Sequence, residues 1–300
     1  AQQPKGLVEV YINTPDALVN VKSQVLYSIW ADLYNLQQSK LSTEAAVAGM
    51  SLGLQPSNGL VLSLSGFTDK QDVLLAQALE NLTLDVSEEG FAQAIDRFKR
   101  DLLNQQKQFP FYQAFGEYSK LTRSGKFDTE SLIAAADALT LADFADIKQS
   151  TLAANDLRVF TFGNYNQNDV DAIASKLTAI LPKGHKATEF ARSKAWLPQP
   201  GERIVLQKDI DVADVAIIDM VVHPTPGYKQ KAQAQILQSH FRTVAFDKLR
   251  TEEQLAYAVG ALARPIEDYS ALGLYIQTPV KGPKEMQARF DEFKKQYAVE

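Results

Sequence analysis

The order strand, helix, strand, strand, helix occurs twice along this chain, and that repetition limits what it can fold into. In the first occurrence Leu7 to Asn13 alternates apolar and polar residues and contains Val and Ile, the mark of a strand with one buried face. Thr14-Pro15-Asp16 breaks it. Asn20 to Lys40 carries Val21, Val25, Ile29, Leu33 and Leu36 as one stripe of helical period. Thr43 to Leu54 and Gly59 to Gly66 are apolar runs joined by Gln55-Pro56-Ser57-Asn58-Gly59, and an Asn-Gly step between two such runs predicts a hairpin. Asp69 to Leu82 is helical again. In the second occurrence Ala213 to Val222 reads as a strand and Ala232 to Lys248 as a helix. Glu253 to Leu262 and Ala271 to Thr278 come next as a strand pair, and Pro283 to Tyr297 as a charged amphipathic helix. The letters repeat too: Lys40-Leu41-Ser42-Thr43-Glu44 aligns with Lys248-Leu249-Arg250-Thr251-Glu252, each where a helix gives way to a strand. The expected fold class is α+β, with two related β-α-β-β-α modules. Each is a sheet with helices on one face, and the second is truncated.

Between the copies Ser87 caps a helix from Glu88 to Asn104. Phe111, Phe115 and Tyr118 recur at helical spacing, as a core stripe does. Thr140 with Asp143 resembles a capping box opening a helix to Thr151. Leu157 to Phe162 reads as a strand and Asn168 to Leu181 as a last helix. Lys183 to Arg203 is rich in Lys, Pro and Gly without periodicity, so it is expected to link the modules. The organisation is then one module over residues 6–182, a linker over 183–203 and half a module over 204–300. The last helical pattern runs straight into Val299-Glu300, which reads as a piece of a longer protein.

A net charge of −5 argues against a nucleic-acid partner, whose binding needs a basic face. No apolar run approaches the roughly 20 residues of a membrane helix. Cysteine is absent, so disulfides and thiol chemistry are excluded, which suits cytosol and periplasm alike.

The junction Phe246 to Val259 carries the candidate chemistry. Arg250 at a helix end complements the helix dipole. On a strand, Tyr257 shares a face with Leu255 and Val259 and reads as a core tyrosine. The first copy has Ser42 and Gly49 at the matching positions. A packing need would recur in both copies, so the charge and the phenol point to function in the second. The run Phe246-x-x-Leu249-Arg250-Thr251-x-Glu253-Gln254-Leu255-x-Tyr257-x-Val259 resembles the C-terminal half of insulinase/pitrilysin-type (M16) zinc metallopeptidases, with Ala256 where that family usually has Gly. Residues 6–182 resemble its third domain in order and length, and residues 204–300 resemble the first half of its fourth.

The resemblance implies a zinc endopeptidase that encloses peptides between two halves. In that reading zinc lies in the N-terminal catalytic half of the same protein. This half supplies chamber wall and peptide contacts through Arg250, Tyr257 and Phe246. A periplasmic location goes with the pitrilysin-like bacterial enzymes; a non-catalytic scaffold, partner subunit or peptide-binding module is the alternative. The family's zinc motif is His-x-x-Glu-His on a helix. His185, His223 and His240 stand far apart, so no metal site is expected in this segment. Gly49-Met50-Ser51-Leu52-Gly53 matches the hydrolase elbow Gly-x-Ser-x-Gly, but that elbow needs a helix after the serine, and a hairpin is expected here. Glu252 and Glu253 are adjacent and would face opposite ways on a strand.

Overall fold

The structure, a computed structural model, describes residues 3–15, 17–153, 155–181 and 193–298. In chain order the elements are β1 (Lys5–Asn13), α1 (Val21–Gln37), α2 (Ser39–Val47), β2 (Met50–Ser57), β3 (Gly59–Phe67), α3 (Gln71–Glu80), α4 (Glu88–Gln105) and α5 (Pro110–Thr122). Then come α6 (Thr129–Asp137), α7 (Leu141–Ala153), β4 (Asp156–Gly163), α8 (Gln167–Ile180), β5 (Val215–Val222), α9 (Tyr228–Ala245), β6 (Ala258–Ala263), β7 (Ala271–Thr278) and α10 (Pro283–Tyr297). They form two compact units: Ala1–Leu103 with Phe127–Arg192, and Asn104–Lys126 with Ser193–Glu300.

The first unit is built on an antiparallel sheet of order β2-β3-β1-β4. Strand alternation puts Val8, Val10 and Ile12 of β1 and Leu60, Leu62 and Leu64 of β3 on one buried face. Helix α1, capped by Asn20 on the Ser23 N–H at 2.7 Å, adds Val25, Ile29, Trp30 and Tyr34 to the same core. Trp30 is fully buried, edge-on to Phe144 at 6.1 Å, and its indole N–H donates to the Leu82 carbonyl at 3.2 Å. Asn35 fixes β2 against α1: its amide donates to Leu54 O at 2.8 Å and its oxygen accepts the Leu54 N–H at 2.9 Å. The Thr140–Asp143 box forms as expected, with Thr140 N–H on the Asp143 carboxylate at 2.9 Å.

One expected strand start is wrong. Thr43 to Val47 continues as α2, and β2 begins only at Met50. Glu44, Ala45 and Ala46 are strong helix formers, and Ala45 is buried. The hairpin turns at Asn58-Gly59, whose Asn58 carbonyl accepts the Thr14 N–H at 2.8 Å. Gly59 has φ +120°, and a Cβ there would stand 2.1 Å from the Ile12 carbonyl oxygen.

The second unit holds an antiparallel sheet of order β5-β7-β6. Val259, Ala261, Leu274 and Ile276 pack against Phe241 and Ala245 of α9 and Met286, Phe290 and Phe293 of α10. Helix α5 packs on the other side of β7. Phe111 stacks on Tyr275 at 5.6 Å, and Phe115 meets the same ring edge-on at 6.1 Å. Of the aromatic stripe expected to be core, Phe115 is buried and Phe111 and Tyr118 are half-buried, and the stripe joins the second unit and not the first. This sheet therefore carries helices on both faces. Of the expected linker, residues 183–192, with His185, lie outside the described residues. Residues 193–203 are bonded to the second unit: Trp196 N–H donates to Thr122 O at 2.9 Å, and Arg203 pairs with Asp291 at 3.0 Å.

Gly59→Ala is expected to destabilise the first unit by roughly 1–3 kcal/mol, through positive-φ strain and the carbonyl clash. Gly53→Ala, where a Cβ meets nothing within 4 Å, should change stability by no more than about 0.5 kcal/mol. Urea denaturation of the two variants checks the contrast.

Candidate functional site

Helix α9 does not end where its apolar stripe ends. It widens into a π-helical turn over Phe246–Glu252. The Glu253 N–H reaches back five residues to the Lys248 carbonyl at 3.0 Å, and the Leu255 N–H reaches Leu249 O at 3.0 Å. Leu249 is fully buried beneath the turn. Gln254 then adopts φ +53°, a conformation uncommon for a residue with a side chain, and redirects the chain. Arg289 of α10 secures the bend by a bidentate pair with Glu253, at 2.7 and 2.5 Å. The Arg289 hydrogen bond holds the Glu253 carboxyl below the usual range, against an opposing effect of burial.

On the outside of the turn the Arg250 guanidinium lies 4.6 Å above the Phe246 ring. Both side chains are exposed, and among the described residues no carboxylate pairs with Arg250. Arg250 sits within the π-turn, ahead of the strand it was expected to border.

Tyr257 is not the core tyrosine that strand alternation predicts. It is 47% exposed, while Leu255 and Val259 are 7% and 6% exposed. The reason is local: β6 begins at Ala258, so Leu255 to Tyr257 are not in the sheet. Leu255 instead bonds back to the turn, and its carbonyl accepts from Thr278 Oγ1 at 2.5 Å. The Tyr257 hydroxyl donates to Asp214 Oδ2 and accepts from Gln277 Nε2. Gln277 Nε2 also donates to Asp214 Oδ2 at 2.9 Å. Burial and then the Asp214 hydrogen bond and charge push the Tyr257 phenol up; the bonds from Tyr257 and Gln277 hold the Asp214 carboxyl down. Arg250, Gln254, Ala256, Tyr257, Pro279 and Val280 line an open depression of about 340 Å³.

Sequence reasoning does not single out Asp214 or Gln277. The available signal was a lone amide in the apolar run Ala271 to Thr278, since a buried polar side chain needs a partner. Other candidates resolve into local bonds. Ser51 lies on β2 within the hairpin and shares a hydrogen bond with Ser65 at 2.7 Å, so no elbow forms. Glu252 pairs with Lys248 at 2.7 Å. His223 bonds within its own turn to Thr225 at 3.0 Å, and His240 bonds the Tyr297 hydroxyl at 2.6 Å. Among the described residues no group of three His, Cys, Asp or Glu could hold a metal ion, and no helix is long and apolar enough to cross a membrane.

Two antiparallel sheets carrying helices in repeated order are the architecture of M16 peptidase domains. Residues 2–135 match the family described as the middle or third domain of peptidase M16, and residues 234–300 match the PQQ synthase PqqF-like C-terminal lobe domain 4. Protease 3 of Salmonella typhi is 25% identical over 301 residues, covering 98% of this chain and 30% of that protein. The crystal structure of pitrilysin matches with a TM-score of 0.81 at 22% identity, over 97% of this chain and 31% of that one. A peptidase M16 inactive domain from Pseudomonas fluorescens matches with a TM-score of 0.67 at 16% identity, over 99% and 75% of the two chains. Both matched models are of M16-type peptidases, and along these stretches the chain is similar to part of their C-terminal half. It spans 30% of the length of the Protease 3 relative.

Glu253 has a folded-state value below its unfolded one. Its pairing therefore stabilises the second unit above the ordinary carboxylate range and is lost as pH falls through the depressed value. Glu253→Gln should cost roughly 1–2 kcal/mol at pH 7, a partly exposed pair being discounted. The deficit should shrink as pH is lowered below about 4. Thermal unfolding across a pH series measures both.

Proposed function

We propose that this chain is part of the C-terminal half of a zinc-dependent metalloendopeptidase of the insulinase/pitrilysin type. The whole enzyme encloses peptides between two halves and cleaves them. This half forms chamber wall and contacts substrate through Arg250, Tyr257 and Phe246. The zinc is bound in the N-terminal half. The described residues do not fit a zinc site: His223 bonds Thr225, His240 bonds the Tyr297 hydroxyl, and no three His, Cys, Asp or Glu among them gather around a common point. A periplasmic setting goes with the likeness to bacterial enzymes of this type.

One observation carries the reading: Arg250 and Tyr257 border the same open depression instead of being sealed in the core. Arg250 has no carboxylate partner among the described residues, and its stacking on Phe246 limits where the guanidinium can point. Peptide hydrolysis builds negative charge on a carbonyl oxygen. A fixed guanidinium offers donors to that oxygen without first giving up an ion pair. Tyr257 adds a second polar contact, Pro279 and Val280 add apolar wall, and Phe246 supports the Arg250 guanidinium.

In the full-length protein, Arg250→Ala or Tyr257→Phe is expected to lower kcat/KM roughly 10-fold or more with zinc content unchanged. Unchanged kinetics would remove both residues from the mechanism. The 300-residue chain alone should show no zinc-dependent peptide cleavage; cleavage by it would overturn the assignment of the metal to the other half. The likeness to an M16 domain described as inactive favours a second reading, a non-catalytic scaffold or partner subunit. A full-length protein without His-x-x-Glu-His upstream would decide for it.

A further inference from the structure

The N-terminus of α5 leaves two aromatic rings in solvent: Phe109 is 61% exposed and Tyr112 52% exposed. Local sequence puts them there. Pro110 starts the helix and keeps Phe109 before it in extended backbone, with φ −48° and ψ 139°. The Tyr112 N–H bonds the Phe109 carbonyl at 2.9 Å, so the two residues bracket the first turn. Between them Phe111 is seated inward, its ring stacked on Tyr275 of the central strand at 5.6 Å. The Phe109 ring lies parallel to Phe111 at 6.3 Å, and the Tyr112 ring leans on Phe111 at 4.0 Å. The outer rings are thus braced on an anchored one and have little freedom to lose when they meet a ligand. Exposed apolar residues scattered singly need no explanation, but two rings fixed on a third form a patch.

The patch adjoins the depression at Arg250, and both belong to the second unit. One amide joins them. Gln277, fully buried on β7, accepts the Phe111 N–H on Oε1 at 3.3 Å and donates from Nε2 to the Tyr257 oxygen. Tyr275 beneath Phe111, Gln277, and Pro279 in the wall of the depression follow one another at every second residue. At the rise of a strand, Tyr275 and Pro279 stand about 13 Å apart, the span of about four residues of extended peptide.

We propose that Phe109 and Tyr112 form a subsite continuous with the depression, which takes one bulky apolar side chain of the peptide substrate two to four residues from the residue at Arg250. The occupant is a substrate side chain because a peptide lying across Arg250 and Tyr257 reaches the rings without leaving the surface. The inference rests on the substrate-binding reading above. It adds a preference for side-chain type, which contacts to peptide backbone do not supply.

The test uses the full-length enzyme and a peptide substrate with alanines on both sides of the cleaved bond, changed one position at a time to phenylalanine. At one position phenylalanine should raise wild-type kcat/KM roughly fivefold, as burial of part of a ring implies. In the double variant Phe109→Ala, Tyr112→Ala the ratio between the phenylalanine and alanine peptides should fall to about one. Phe109→Leu with Tyr112→Leu keeps an apolar patch and should keep part of the gain. Zinc content and melting temperature check that each variant folds. No gain at any position in the wild type, or the same gain in the alanine variant, overturns the inference. So does an alanine variant slowed equally toward every peptide, with the ratio kept, since the rings then meet another part of the protein. Arg250→Ala separates this inference from the reading beneath it, for it should slow every peptide and leave the phenylalanine gain in place. If Arg250→Ala is slow and the wild type shows no gain, only this inference falls. If Arg250→Ala is as fast as wild type, the substrate-binding reading falls and this inference with it.

Discussion

The second unit is organised by one irregular turn. Between α9 and β6 the chain takes a π-helical path that buries Leu249 and leaves Phe246 and Arg250 outside it. A regular α-helix continued to Glu252 would close each of its hydrogen bonds one residue sooner and so turn these side chains to other directions. The turn is less well bonded than a helix, and two features hold it. Buried Leu249 anchors it from below, and Glu253, just past its end, is clasped by Arg289. The left-handed Gln254 comes directly after, a strain that neighbouring contacts must outweigh.

The two copies of the module part company at this position. There the first unit runs on as the regular helix α2 and enters β2 through Gly49, with φ +72°. It carries Ser42 and Gly49 where the second carries Arg250 and Tyr257. The same topology thus serves packing in one unit and presents a cation and a phenol in the other. In the second unit polar order extends inward from the surface: phenol to carboxylate, amide to both, helix N-terminus to amide. A buried amide with its hydrogen-bonding groups matched costs little, and an unmatched one costs much. That asymmetry keeps this network in one arrangement.

How much of this was legible in the sequence varied with how local its cause was. Ala271 to Thr278 and Pro283 to Tyr297 are assigned residue for residue, because apolar period and a proline at the helix start are local signals. Arg250 and Phe246 were legible through family resemblance, and their stacking follows from the spacing of four along a helical turn. Tyr257 was misplaced by period-two reasoning, since alternation across Leu255, Tyr257 and Val259 looks like a strand whether or not the backbone pairs. The deciding facts were a positive φ at Gln254 and a bond from Leu255 back to the turn, neither of which a residue letter encodes. Asp214 and Gln277 were missed for a related reason. Their partners lie 43 and 20 residues from them, and no spacing rule reaches that far.

Helix α5 lies between two stretches of the first unit in sequence yet packs on the sheet of the second. The chain is interleaved, and this bears on the order of assembly. Phe111 is separated from Gln277 by 166 residues. During synthesis α5 must therefore wait, its aromatic face uncovered, while the first unit closes around the excursion and the last strands emerge. Closing so long a loop carries an entropic penalty that grows only slowly with length, so the delay is chiefly kinetic. A chaperone or an early docking contact for that aromatic face would matter most in this interval. The same interleaving means that a cut at the obvious linker would sever β7 from the helix that orients its only buried glutamine.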